Sequence, residues 1–191
     1  FDTARSHYGL AVDVGTTTVV AQLLDLNTGE VLDVEGCHNK QASFGEDVIS
    51  RVIFACGKGG LDPVQQAVVK NINTLIARLV KKRGISREEI DVIVAAGNTT
   101  MSHLLLGLTP CSIRLDPYVP TTDEFPQIRA SEIGIRINPR GILEVMPCVA
   151  SYVGGDIVAG VLASGISEHE EVKCLIDIGT NGEIAIGNQD W

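Results

Sequence analysis

The chain has no run of about eighteen apolar residues, so its sequence offers no helix able to cross a bilayer. Residues 1–7 hold no apolar leader segment, and the cytoplasm is the expected compartment. No Cys-x-x-Cys pair occurs. The cysteines (Cys37, Cys56, Cys111, Cys148, Cys174) are dispersed, without the spacing of a zinc site or an iron–sulfur cluster. Such a set reads as reduced thiols packed like small apolar side chains. Positive charge is scarce: 15 Lys and Arg face 24 Asp and Glu, a net charge of −9. An acidic chain repels phosphate backbones and anionic lipid, which argues against nucleic acid and membrane surfaces as partners. Any phosphate has to be gripped locally, by amides, hydroxyls or a metal.

Hydrophobic residues at 45% and charged residues at 20% describe a globular chain, long enough for one domain and the edge of a second. Residues 8–26 read as a hairpin around a Gly-Thr turn, and residues 30–37 as a third antiparallel strand. Residues 63–83 carry a helical period, with Pro63 near the start, a basic last turn and Gly84 as the stop. Ser86 to Glu89 suggest a short capped turn. Residues 91–96 (DVIVAA) read as a buried parallel strand, followed by a short helix over 101–106. Residues 107–140 hold five prolines and no clear period, and read as loop. An apolar strand over 142–149, a small-residue helix over 157–163 and a second hairpin over 174–187 complete the order. Strands mixed with crossover helices give an α/β fold.

The two hairpins repeat one unit. Val12-Asp13-Val14-Gly15-Thr16-Thr17 matches Ile176-Asp177-Ile178-Gly179-Thr180-Asn181. An Asp at a strand end can hold a hydrated Mg²⁺. The Gly lets the backbone turn close to a ligand. The amides and hydroxyls that follow can donate to phosphate oxygens. Two such hairpins face to face would clamp the terminal phosphates of a nucleotide, and positioning with charge stabilisation is most of what phosphoryl transfer needs. A single copy would be an ordinary hairpin whose Asp and Gly serve the turn; the repetition favours the clamp.

The paired Asp-x-Gly-Thr turns resemble the phosphate motifs of the superfamily of acetate and sugar kinases, heat-shock chaperones and actin. That resemblance implies a ribonuclease-H-like (actin-like ATPase) lobe, a mixed five-stranded sheet flanked by helices. Five further runs narrow it: Asn39-Lys40-Gln41, residues 44–51 (FGEDVISR), residues 97–107 (GNTTMSHLLLG), residues 152–160 (YVGGDIVAG) and residues 177–183 (DIGTNGE). Together they resemble the reductive activators of corrinoid proteins, ATP-dependent proteins that return cobalt(II) corrinoids to cobalt(I). The resemblance implies a C-terminal domain of that family, ATP and Mg²⁺ as ligands, a corrinoid protein as partner, and a homodimer left open. The family's [2Fe–2S] cluster would belong to an N-terminal domain absent from this chain. The expected division is a linker remnant over 1–7, a first lobe over 8–172 and the start of a truncated second lobe over 173–191.

On this reading Asp13 and Asp177 are catalytic and hold the metal. Gly15, Thr16, Thr17, Thr18, Gly179, Thr180 and Asn181 bind phosphate. The resemblance makes Asp156 a third catalytic residue that orients water or stands beside the metal; capping its helix is the alternative. Asn98 and Thr99 follow a parallel strand, at the edge where open α/β sheets bind ligands, and could line the phosphate site or cap the next helix. His103 is expected to be a packed or surface residue rather than a ligand. No chemical role follows for residues 44–51. Two other functions remain compatible: a small-molecule (sugar or acyl) kinase, and a non-catalytic actin-like binding module.

Overall fold

The computed structural model describes residues 6–179 and 182–191. Strands β1 (Tyr8–Val14), β2 (Thr18–Asp25) and β3 (Val31–His38) form an antiparallel meander. Helix α1 (Val48–Cys56) and the long α2 (Leu61–Arg83) lead to β4 (Ile90–Ala96), which pairs parallel to β1. Helix α3 (Thr99–Leu106), the two-residue β5 (Ile128–Arg129), β6 (Ile142–Val145) and α4 (Gly155–Ser164) follow. Strands β7 (Lys173–Ile178) and β8 (Gly182–Gly187) pair in a sheet of their own.

The main sheet runs β3-β2-β1-β4-β6-β5. Strands β4 and β6 are parallel to β1, which is the ribonuclease-H-like order of an actin-like lobe. The sheet has six strands rather than five. The extra one, β5, pairs antiparallel to the start of β6 and comes from the stretch read as loop, where residues 127–138 are free of proline. Residues 44–51 are a loop-to-helix entry, with Asp47 as the N-cap of α1.

Alternation in β1 sets the core. Leu10, Val12 and Val14 point to one face, where Val64, Val68, Ile72, Leu75 and Leu79 of α2 cover them. Each such side chain contributes about 1.5–3 kcal/mol on burial. Helix α2 ends with Lys81, Lys82 and Arg83 against its negative pole, and Gly84 closes it at φ 68°. The alternate residues of β1, Ala11 and Asp13, face the other side of the sheet, which carries the site. The outer face of the second hairpin is apolar and open, with Ile178 89% exposed.

The expectation of reduced cysteines is corrected. Cys56 and Cys111 form a disulfide, because the C-terminal end of α1 packs on the turn at Cys111–Arg114. A separation of 55 residues leaves no local spacing to reveal the pair. Cys37, Cys148 and Cys174 are free. Among the described residues no helix is long and apolar enough to cross a membrane.

Candidate functional site

The site lies where the carboxyl ends of β1 and β4 meet α4 and the second hairpin. Parallel pairing sets Asp13 beside Ala96, so the turns after both strands share one edge. The first turn needs its glycine: a Cβ on Gly15 would stand 2.7 Å from the Thr18 carbonyl oxygen. Asn98 ends the second turn and caps α3, its Oδ1 accepting from Met101 N at 3.0 Å. Its Nδ2 donates to Thr16 Oγ1 at 3.1 Å. Asn98 therefore caps the helix and also reaches the first turn.

Helix α4 docks against the same edge. A Cβ on Gly154 would lie 2.4 Å from Asn98 Cα, so only glycine permits this approach. Gly154 is the N-cap, which corrects the capping alternative for Asp156. Asp156 sits in the first turn instead, where its N–H donates to Gly97 O at 3.3 Å and its Oδ1 accepts from Ile157 N at 2.9 Å.

These elements enclose a cavity of about 1020 Å³. Asp13, Gly15, Thr16, Thr17, Thr18, Asn98, Asp156, Asp177 and Gly179 line it, together with Glu183. Ala11, Val20, Val94, Ala159, Leu162 and Ala163 add apolar lining. Thr99 is not brought to the cavity. Its side chain is buried, and its hydroxyl donates to Ala150 O at 2.6 Å. Thr180 and Asn181 lie outside the described residues. Glu183, which closes the second motif, is not among the site residues that the sequence motifs predict.

Among the described residues the cavity lining has four carboxylates and no Lys, Arg or His. Burial raises the Asp13 pKa, and the charges of Asp156 and Asp177 raise it further. Burial and Asp177 raise that of Asp156, against the lowering effect of its bond from Ile157. Burial, then Asp156 and Asp177, raise that of Glu183. Such a site repels a bare polyanion and favours cations.

Of the two positions open to His103 the structure shows the packed one: it is fully buried, its Nδ1 lies 2.7 Å from Thr99 O, and its ring meets Phe125 edge-on. Residues 44–51 acquire a structural role. Asp47 and Ser50 form a capping box that starts α1. The buried Arg51 guanidinium donates from Nε to Gly45 O at 2.7 Å and from Nη2 to Glu46 O at 3.4 Å, holding the preceding loop.

Residues 8–169 match the family described as RACo middle region. The corrinoid activation enzyme RamQ of Eubacterium limosum is 37% identical over 185 residues, 96% of this chain and 31% of that protein. A solved reductive activator for corrinoid, iron-sulfur protein is 49% identical and superposes with a TM-score of 0.96, over 100% of this chain and 30% of that one. The chain thus spans less than a third of the length of these relatives. The matched family describes a middle region, where the motifs alone suggested the C-terminal domain. By its match over most of its length, the chain belongs to the RACo middle-region family, that of the reductive activators of corrinoid proteins.

Proposed function

We propose that this chain is the phosphate-binding part of an ATP-dependent reductive activator that returns a corrinoid protein from cobalt(II) to cobalt(I). The observation that carries the reading is the convergence of Asp13 with Gly15 and Asp177 with Gly179 on one cavity, from two separate sheets. Residues 8–172 would be the first lobe of the nucleotide clamp, and residues 173–191 would open the second.

The donor set fits Mg²⁺-ATP. Among the described residues no three His, Cys, Asp or Glu side chains form a ready cage for a bare ion. Carboxylates spread around hydroxyls suit a hydrated Mg²⁺ that is held by one or two carboxylates and by phosphate oxygens. Asp13 and Asp177 would hold it, and it would neutralise phosphate charge that the acidic lining otherwise repels. The Thr16, Thr17 and Thr18 turn, Asn98, and the Gly179, Thr180 and Asn181 turn would donate to phosphate oxygens. Asp156 would orient the water that attacks the terminal phosphorus, and the bond to the bridging oxygen of the β-phosphate would break.

Hydrolysis itself moves no electron. The electron that takes cobalt(II) to cobalt(I) would come from an iron–sulfur centre carried by the rest of the protein. This chain's part would be conformational: closure of the two lobes on ATP favours a state that docks the corrinoid partner.

The test uses the intact protein with a cobalt(II) corrinoid protein and an electron donor, following phosphate release and cobalt(I) absorbance. Both should require ATP, and both should be lost in Asp13→Ala and Asp177→Ala variants that remain folded. Retained hydrolysis in either variant would refute the clamp. Hydrolysis without cobalt(I), across several corrinoid partners, would refute the activator reading and leave the clamp standing.

A further inference from the structure

We infer that Asn39 is a positioning residue for the first phosphate turn, an assignment that rests on the reading of that turn as a phosphate site. Asn39 lies directly after β3, whose last residue His38 pairs with Thr18 at the start of β2, and is fully buried. It holds the turn at both ends. Its Nδ2 donates to Gly15 O at 2.8 Å, and its backbone N–H donates to Thr17 O at 2.8 Å. Between those two points, Asn98 holds Thr16. Each of the three residues of the turn is thus fixed by an asparagine.

The orientation of the Asn39 amide is determined by its partners. Gln41 N–H can only donate, and it reaches Asn39 Oδ1 at 2.9 Å. Gly15 O can only accept, and it meets Nδ2. The second Nδ2 proton faces Gln41 Oε1 at 3.3 Å. Gln41 is itself buried and is anchored by its Nε2 on Val64 O at 3.1 Å. The amide therefore stands on α2, in the core, and not on a mobile surface. Met101 Sδ lies 4.0 Å from Asn39 Nδ2 and accepts from Arg51 Nη1 at 3.4 Å. The Asn39-Lys40-Gln41 run and Arg51 thus meet behind the phosphate turn.

The consequence is preorganisation. With the Gly15 and Thr17 carbonyls drawn back toward Asn39, the turn is held in one shape before any phosphate arrives, and it need not be ordered on binding. A simple capping role differs in what it needs. The cap of the short helix at Lys40–Phe44 uses only Oδ1, through Gln41 N. Positioning the turn uses Nδ2.

Asn39→Ser separates the two. Serine is a good cap, but its hydroxyl is too short to reach Gly15. In the intact protein, Mg²⁺-ATP affinity is measured by calorimetry, amide exchange of residues 15–18 without nucleotide, and stability by urea. Loss of one buried bond with its acceptor left unpaired predicts affinity weakened on the order of tenfold at conditions where the variant is fully folded. Exchange at residues 15–18 should quicken as well. If Asn39→Ser does not fold, Asn39→Asp keeps the volume and the acceptor for Gln41 and carries the same measurements. Wild-type affinity and wild-type exchange in a folded variant would overturn the assignment. Absence of Mg²⁺-ATP binding by the wild type would instead overturn the phosphate reading beneath it.

Discussion

Substituting Gly154 by Ala tests how tightly α4 must approach the strand edge. The backbone of Gly154, at φ −95° and ψ −174°, suits any residue, so the cost is contact alone. The new Cβ would stand 2.4 Å from Asn98 Cα, 2.6 Å from Thr99 N and 2.7 Å from Asn98 C, all backbone atoms. Carbon atoms pack at about 3.5–4.0 Å, so the two segments must separate by roughly 1 Å. Overpacking of this kind costs about 1–3 kcal/mol of stability. The same shift pulls Asn98 from Thr16 and Asp156 from Gly97. A misplacement of about 1 Å in such a site lowers turnover on the order of a hundredfold. Gly36→Ala is the control, since its Cβ would meet only Val20 Cγ2 at 3.6 Å and Val19 O at 3.7 Å. Urea unfolding and phosphate release per folded molecule read both effects. Gly154→Ala with stability and turnover both matching Gly36→Ala would refute the close-approach reasoning.

If Asp156 orients water, Asp156→Asn keeps Mg²⁺-ATP affinity and slows hydrolysis at saturating ATP, whereas unchanged turnover would remove it from the chemistry. The pH dependence of metal-free stability tests the crowding of carboxylates. Asp13 has a folded pKa raised above its ordinary 3.8 by burial and by Asp156 and Asp177. Its ionised form is thus penalised in the native state, and the penalty is complete above the raised value and vanishes as pH falls to the ordinary one. Asp13→Asn should therefore be more stable than wild type at neutral pH without metal, with the gap closing as pH falls toward 3.8. A gap that widens on acidification, followed by urea titrations across that range, would contradict the assigned cause.

What could be read from the residues depended on how local each signal was. The alternation in β1 and the period of α2 are written within one element, and both elements stand where those patterns place them. The Asp-x-Gly repeat is local twice over, which is why Asp13 and Asp177 could be paired before any geometry was known. Thr99 shows where adjacency misleads. Asn98 is the cap and Thr99 the first helical residue, and successive helical side chains diverge by about 100°. One faces Thr16 and the other Ala150. Asn39 and the Cys56–Cys111 pair depend on contacts between distant segments, and no spacing encodes those. Glu183 is a different case. In the second hairpin it pairs directly with Asp177, and directly opposed residues of an antiparallel pair share a face. The pairing of Ile178 with Gly182 fixes that register. The register of the second hairpin therefore places the fourth carboxylate of the cavity directly opposite the motif aspartate.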